Sequence, residues 1–362
     1  MILIRHALTL ILGLAFVLAA AAAALPLLDS PEASRASAPL PLASAPNATP
    51  TPVLRAAPSG PPIDSAALDA AWQSWMAERN VTEGALVLLS PDGQLHRSAL
   101  GRATSDIVPV ASLSKTITGL CLDDILQEQD LSWYTRLGDI RDQMSAIRVT
   151  PQSWNEHITL AALATHTSGL SPDLTQGLMG SELHGALGLH RRTATEALRE
   201  DNIQGRSGTY FYSNTNYAVL GVVIEALTGE SYAQTCAARV LAPAGITDAV
   251  IEGRMGSMSS FAGWELSAES YARLAQHWFT AGRDAIDRPF ERPMHDNYTI
   301  GYRIIGDGPS AIVTQAGRYC HSRPERSNGA FFVARGDGTV AMATWAGCVP
   351  RGEVPPFEAL MR

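Results

Sequence analysis

Lysine is almost absent from this sequence, and the signatures of several large functional classes are missing as well. Of its 27 basic residues, 26 are arginine and one, Lys115, is lysine. Acidic residues number 35, which gives a net charge of −8 and argues against nucleic-acid binding. There is no C-x-x-C pair, no spaced histidine cluster and no glycine-rich phosphate loop after a strand. We therefore predict no metal site and no cofactor.

Cysteine is scarce, with four residues in 362, but it is informative. Four cysteines suit an oxidising compartment. Cys320 and Cys348 each follow a late strand-like run, and two strands that leave and return at one sheet edge bring such positions together. We predict a Cys320–Cys348 disulfide. Cys121 and Cys236 fall in helical segments, where a second disulfide and two buried small apolar residues remain alternatives.

The first 63 residues lack the pattern of a folded domain. Residues 7–28 carry no charge, follow Arg5 and contain an alanine run with A-x-A sites, which indicates a secretory signal peptide over residues 1–28. The stretch is also long enough to serve as an uncleaved anchor, and both alternatives stay open. Residues 29–63 are rich in Pro, Ala and Ser and predict a linker. We expect an exported protein, either periplasmic or extracellular, with a membrane tether if residues 7–28 are retained.

Residues 64–362 show strand signals at both ends and helical signals between them. Asp64 precedes an amphipathic helix, and a hairpin follows around Pro91-Asp-Gly93. Helical patterns extend from about 112 to about 277, and the late strand signals are Tyr298–Ile305, Ala311–Tyr319, Gly329–Arg335 and Thr339–Trp345. This order predicts a mixed α/β (α+β) fold whose antiparallel sheet is built from about 64–110 and 295–362, with a helical insert over about 111–294. A cleft is expected where the two parts meet.

Ser112 and the single lysine stand three residues apart at the start of a helical segment. At that spacing both side chains lie on one helix face. A serine hydroxyl needs a neighbour that takes its proton, and a buried neutral lysine can do so whereas arginine cannot. An S-x-x-K string is common by chance in a serine-rich chain. The use of arginine for every other cation favours a catalytic Ser112–Lys115 pair.

A second polar turn, Tyr212-Ser-Asn214, leads into an apolar helix that ends at Gly229. The Tyr212 phenol can relay a proton, and the Asn214 amide can both donate to and accept from a substrate. Taken alone, this turn is more typical of an aromatic cluster packed against the core.

Together the segments resemble the serine β-lactamase and penicillin-binding protein superfamily, in the branch of class C β-lactamases, D-Ala-D-Ala carboxypeptidases and esterases. The resemblance spans about 64–362 and rests on Val110-Ala-Ser112-Leu-Ser-Lys115, Leu163-Ala-Thr-His166-Thr-Ser-Gly-Leu170, Tyr212-Ser-Asn214 and Leu241-Ala-Pro-Ala-Gly-Ile-Thr247. It implies a β-lactamase/transpeptidase-like fold. It also implies that Ser112 is acylated, that Lys115 and Tyr212 move its proton, and that Asn214 binds the substrate amide. His166 would belong to a structural loop, although a Ser-His arrangement remains an alternative.

One motif of the family is altered. The strand beside the cleft usually carries Lys-Thr-Gly or His-x-Gly, and the matching string here is Gln315-Ala-Gly317. The resemblance implies an oxyanion hole from the backbone N–H groups of Ser112 and Arg318. The missing cation shifts the expected substrate from a β-lactam or D-Ala-D-Ala peptide towards a neutral ester or amide. Replacement cations would be Arg318, which could instead block the site, or Arg323 and Arg326 in the next loop.

These observations predict an exported, cofactor-independent serine hydrolase acting on a small molecule or peptide, of which cell-wall fragments are one candidate. Two other classes of function stay open. One is a catalytically weak or inactive relative that binds peptidoglycan-type peptides or a protein. The other is a tethered scaffold of the cell envelope.

Overall fold

The structure, a computed structural model, describes residues 61–176, 189–199, 205–251, 255, 258–280, 292–307 and 310–362. The predicted signal segment, and the predicted linker up to residue 60, lie outside these residues. Within the described ranges, no helix is both long and apolar enough to cross a membrane.

A six-stranded antiparallel sheet joins the two ends of the chain. Its spatial order is β2-β1-β8-β7-β6-β5, so the last strand lies between the first strand and β7. The strands are β1 Gly84–Leu89, β2 Leu95–Leu100, β5 Arg303–Ile305, β6 Ile312–Tyr319, β7 Asn328–Arg335 and β8 Val340–Ala346. A separate pair, β3 Val108–Pro109 and β4 Glu265–Leu266, is also antiparallel. The predicted antiparallel sheet flanked by helices is confirmed.

Two details of the strand prediction are wrong. The strand expected from Tyr298 begins only at Arg303, because Tyr298 lies in a turn held by single bridges to His295 and Arg303. The short β4 lies inside the segment predicted to be helical. It forms because it pairs with β3, which lies just before Ser112, and local patterns do not reveal such a long-range pairing.

Helices occupy the middle of the chain and both ends of the folded part. They are α1 Ser65–Glu78, α2 Ser114–Glu128, α3 Arg141–Ala146, α4 Leu160–Ala164, α5 Leu189–Ala197, α6 Asn214–Thr228, α7 Tyr232–Cys236, α8 Ser259–Ala262, α9 Ala268–Phe279 and α10 Phe357–Met361. The first begins as predicted, with the Asp64 carboxylate accepting from the Ala66 and Ala67 N–H groups. The last residue of α6 is followed by Gly229 at φ 72°, a left-handed end that favours glycine.

The sheet separates two apolar clusters because successive strand residues point to opposite faces. Phe331 packs with α1 and α10 on one face, whereas its neighbour Phe332 packs with the central helices on the other. The cluster on the helical side also contains residues of α2 and α6. The elements that carry the motif residues are therefore anchored in the same apolar layer as the sheet.

Two disulfides add covalent links. Cys320 and Cys348 are joined as predicted, which ties the end of β6 to the chain just after β8. Cys121 and Cys236 are also joined, linking α2 to α7, so the first of the two open alternatives for this pair is the observed one.

Candidate active site

Ser112 lies in a tight turn that leads into α2. The turn, Ala111–Leu113, is a 3₁₀ helix, and Ala111 adopts φ 49°, a left-handed conformation that is rare for alanine. Strained backbone of this kind is found at sites where the fold must aim one side chain. Ser112 is partly exposed, while both of its neighbours are buried.

Lys115 is fully buried, and its Nζ has three oxygen neighbours. They are Ser112 Oγ at 3.1 Å, Asn214 Oδ1 at 2.6 Å and the Phe261 carbonyl oxygen at 2.8 Å. As an ammonium group, Nζ can donate to all three. As a neutral amine, it can donate two protons to Asn214 and Phe261 and direct its lone pair at the Ser112 hydroxyl. The surroundings thus suit a group that takes a proton from Ser112.

Burial lowers the pKa of Lys115 to about 7, and the Asp173 carboxylate acts in the opposite direction. The faces of Tyr212 and Tyr217 lie 5.2 Å and 5.7 Å from Nζ, and they also favour the cation. With a pKa near 7, both protonation states are populated at neutral pH, which suits a general base.

The Tyr212 hydroxyl donates to Ser112 Oγ across 3.1 Å. Burial raises the pKa of Tyr212 to about 12, opposed mainly by the bond to Ser112 and by the charge of Arg351. Tyr212 is therefore a protonated phenol in the resting site. It can donate a proton, but it needs nearby positive charge to act as a base.

Asn214 begins α6, directly after the cap residue Ser213, whose side chain accepts from Thr215 N–H. The Asn214 amide is engaged on both sides, with Oδ1 accepting from Lys115 and Nδ2 donating to Thr175 Oγ1 at 2.9 Å. In this structure the Asn214 side chain therefore holds Lys115 in place. Its expected role as a substrate-amide ligand stays a prediction.

His166 packs beneath Tyr212, with the two ring centres 4.3 Å apart. Its Nδ1 accepts from the Ser213 N–H and is near Asn216 Nδ2, and its Nε2 is 3.3 Å from the Tyr298 hydroxyl. Burial and the nearby Lys115 hold the pKa of His166 well below its usual value, so the ring is neutral. These contacts suit a residue that positions the tyrosine.

The strand β6 approaches the Ser112 turn at Gly317. A Cβ at this position would stand 2.2 Å from the Val110 carbonyl oxygen and 3.2 Å from the Ser112 backbone nitrogen. The neighbour strand β5 pairs only with residues 312–314, so the edge from Gln315 onward faces the turn. The backbone of Arg318 and that of Ser112 are therefore brought to the same side of the cleft.

The four side chains considered for this edge, Gln315 and the candidate cations Arg318, Arg323 and Arg326, lie in different surroundings. Gln315 is buried, and its Nε2 donates to the Gly301 carbonyl oxygen at 2.9 Å. Arg318 is exposed, and its guanidinium donates to the Val349 carbonyl oxygen at 3.4 Å. Arg323 and Arg326 lie in the β6–β7 turn, outside the residues that line the cleft.

A cavity of about 670 Å³ opens over Ser112. Its lining includes Tyr212, Asn214, Gln315, Gly317 and Arg318, together with residues that sequence reasoning missed: Asp173, Phe211, Arg303 and Arg351. Arg351 comes from the chain after β8, and its guanidinium lies 5.2 Å from the centre of the Tyr212 ring. Arg303 lies over the Tyr298 ring at the same distance. The sequence signal for both was weak, because arginine is the general cation of this chain.

Throughout the described ranges, no cluster of three or more His, Cys, Asp or Glu side chains could hold a metal ion. The groups within hydrogen-bond distance of the Ser112 hydroxyl are the Lys115 amine, whose pKa is lowered, and the Tyr212 phenol. That set is suited to nucleophilic attack on a carbonyl.

Comparison with known proteins gives matches across most of the folded part. A sequence profile of the family described as "Beta-lactamase" matches residues 72–301. "Protein flp" of Staphylococcus aureus strain N315 is 30% identical over 124 residues, which are 34% of this chain and 24% of that protein. The chain thus spans about a quarter of the length of this curated relative.

Solved structures match over a larger share of the chain. The octameric penicillin-binding protein homologue from Pyrococcus abyssi aligns over 83% of this chain and 76% of its own, with a TM-score of 0.62 and 18% identity. A D-stereospecific amidohydrolase from Streptomyces sp. aligns over 82% of this chain and 97% of its own, with a TM-score of 0.63 and 15% identity. At these identities the likeness shows a shared fold.

Proposed function

The chain belongs to the β-lactamase family, and from that membership we propose that it is a serine hydrolase working through an acyl-enzyme on Ser112. One observation carries the proposal. Ser112 Oγ lies 3.1 Å from both Lys115 Nζ and the Tyr212 hydroxyl, at the floor of an open cavity. Such a pairing activates a hydroxyl that is otherwise a weak nucleophile.

The proposed first step is attack of Ser112 Oγ on a substrate carbonyl. The serine proton passes to neutral Lys115, whose two remaining protons are held by Asn214 and the Phe261 carbonyl oxygen. The negative charge that develops on the carbonyl oxygen is stabilised by the backbone N–H groups of Ser112 and Arg318. Tyr212 then gives its proton to the leaving group and recovers one from Lys115.

Water completes the proposed cycle. It attacks the acyl carbonyl and loses a proton to the Tyr212–Lys115 pair, and the same backbone groups stabilise the second oxyanion. Ser112 regains its proton as the acid leaves, so no residue ends in a changed protonation state and no cofactor is required.

The reacting group is proposed to be an ester or amide carbonyl. Gln315 places a neutral amide where the family usually has a cation, which weakens the case for a β-lactam or D-Ala-D-Ala substrate. The cleft is not without positive charge, because Arg303 and Arg351 line it on other sides. Phe211, whose surface is 45% exposed, adds an apolar wall for an acyl or leaving group.

Export is part of the same proposal. Two disulfides are expected in a protein that folds in an oxidising compartment. Together with the signal-like residues 1–28, they support a periplasmic or extracellular location with a small-molecule or peptide substrate.

Covalent labelling tests the proposed function. The protein is incubated with a fluorophosphonate or with a fluorescent penicillin, digested and analysed by mass spectrometry. We expect a fluorophosphonate adduct on Ser112 that disappears in Ser112→Ala. Ser114→Ala is the matched control, because Ser114 is two residues away but accepts from the Trp264 N–H inside the fold.

The outcomes separate the candidate functions. Labelling by the fluorophosphonate but not by penicillin supports an esterase or amidase. Labelling by both extends the activity to β-lactams. A folded protein without any adduct on Ser112 would contradict the proposed serine hydrolase and would favour a non-catalytic relative that binds its ligand.

A further inference from the structure

The residues Asp173 and Thr175 lie beside Asn214 but take no direct part in the proposed chemistry. From their contacts we infer that Asp173 and Thr175 form a positioning relay, which fixes the orientation of the Asn214 amide and thereby holds Lys115 towards Ser112. The inference rests on the proposed function and assigns roles to two residues that no family motif identified.

The relay begins with a chain of three side-chain hydrogen bonds. The Thr175 hydroxyl donates to Asp173 Oδ1 at 2.8 Å, so its oxygen faces Asn214 as an acceptor. Asn214 Nδ2 donates to that oxygen at 2.9 Å. Because Nδ2 is engaged there, Oδ1 is turned to Lys115 Nζ, 2.6 Å away. A rotated amide would instead present its N–H groups to the amine.

A second contact fixes the backbone of the same residue. Asp173 Oδ2 accepts from the Asn214 N–H at 3.1 Å, at the first turn of the fifteen-residue helix α6. A carboxylate is favourable at this end of a helix. Asp173 therefore holds Asn214 by its backbone directly and by its side chain through Thr175.

Asp173 lines the cavity, but its oxygens are already occupied. Besides the two bonds above, they accept from Thr175 N–H at 3.0 Å, from Gln176 Nε2 at 2.7 Å and from Thr215 Oγ1 at 3.4 Å. Two carboxylate oxygens offer about four acceptor sites in total. This saturation favours a positioning role over direct binding of a substrate cation.

The negative charge of Asp173 also acts on Lys115 electrostatically. It raises the pKa of Lys115 against the lowering effect of burial. The other ionisable groups facing this region are Tyr212, Tyr217 and neutral His166, with Arg303 and Arg351 acting on Tyr212.

The single lysine makes the relay measurable without any catalytic assay. Protein labelled with [ε-¹³C]lysine gives one side-chain NMR signal, whose pH titration reports the pKa of Lys115 directly. Asp173→Asn is expected to lower the midpoint by about 0.5–1 pH unit, because it removes the nearby negative charge. Thr175→Val is expected to lower it too, because the freed Asn214 amide can turn its N–H groups to the lysine.

Two variants serve as controls. Thr175→Ser keeps the hydroxyl and should restore the wild-type midpoint. Asp139→Asn removes a carboxylate that accepts from the Arg136 N–H in a distant turn, and it should leave the midpoint unchanged. Thermal unfolding of each variant verifies that the fold is retained. If folding fails for Asp173→Asn, the Thr175→Val and Thr175→Ser pair decides.

The rate of fluorophosphonate labelling supplies the second readout. Thr175→Val should acylate about tenfold more slowly, and Thr175→Ser should recover most of that rate. Midpoints equal to wild type in both Asp173→Asn and Thr175→Val would overturn the relay. Shifted midpoints in a protein that never labels at Ser112 would support the relay and refute the proposed function.

Discussion

At the scale of single residues, Lys115 makes the sharpest pH prediction. The proposed base must be neutral, and burial places its pKa at about 7, so the acylation rate should rise with pH through about 7 and then level. At pH 6 it should be about a tenth of its plateau value. The measurement is the fluorophosphonate labelling rate between pH 5 and pH 9. A rate independent of pH in this range would exclude Lys115 as the base.

Replacing the lysine tests the same role by chemistry. Lys115→Arg keeps a cation near Asn214 and Phe261 but cannot lose its proton, so labelling of Ser112 should fall at least about a hundredfold. Lys115→Ala should be similarly slow. Full acylation by Lys115→Arg, shown on protein that unfolds at the wild-type temperature, would contradict the assignment.

The sequence predicts Ser112 and Lys115 as the reactive pair, but it does not predict the residues that surround them. Ser112 and Lys115 could be found because their spacing is local, and because one lysine among arginines is conspicuous. Asp173, Thr175 and Arg351 could not, since each meets the cleft through long-range packing. Arg318 on β6 was one candidate for the missing cation, and its guanidinium donates to the Val349 carbonyl oxygen after β8. Arg351, which the sequence did not indicate, places its guanidinium over the Tyr212 ring.

At the scale of elements, the fit of β6 against the Ser112 turn depends on Gly317. An alanine Cβ there would be 2.2 Å from the Val110 carbonyl oxygen, so strand and turn must separate. That movement would separate the two backbone N–H groups of the proposed oxyanion hole, and Gly317→Ala should acylate about a hundredfold more slowly. Gly93→Ala is the control. It lies at φ 85° with open space around it and should cost about 1 kcal/mol of stability without slowing acylation.

The two disulfides should differ in their effect on the cleft. Cys320 and the residues after Cys348 line the cavity, whereas Cys121 and Cys236 are fully buried between helices. Each double alanine variant should lose about 2–5 kcal/mol of unfolding free energy. Only Cys320→Ala with Cys348→Ala should also slow labelling, because the segment that carries Arg351 is released. Equal labelling rates for the two double variants, on folded protein, would show that this segment does not need its covalent link.

Elements were predictable where the pattern was local. The helix after Asp64, the first hairpin and the late strands follow from apolar spacing and turn residues. Their positions at both chain ends predict one shared antiparallel sheet, although not the order of its strands. The start of β5 and the short β3–β4 pair could not be predicted in this way, because backbone pairing outside the local pattern determines them. The same reasoning predicted the Cys320–Cys348 link from two strand ends but left Cys121 and Cys236 open.

At the scale of the whole molecule, the sheet and the helical insert are expected to unfold together. The strand β8, from the end of the chain, lies between β1 and β7, so neither terminal part completes the sheet alone. One apolar cluster runs from the helical face of that sheet through α2 and α6. Calorimetry should therefore give a single transition for residues 64–362, with calorimetric and van't Hoff enthalpies in agreement.

Adjacent phenylalanines on β7 test this cooperativity from both sides. Phe331 is buried against α1 and α10, and Phe332 is buried against the helical layer. Each alanine variant should lose about 3–5 kcal/mol, because a large cavity is left in a packed core. If the sheet and the helical part unfold cooperatively, both variants lower the midpoint temperature of the same single transition. If the helical part folded independently, Phe331→Ala would lower only the transition of the sheet part and leave that of the helical part in place. Two transitions would then be seen, and the molecule would consist of two separately stable parts.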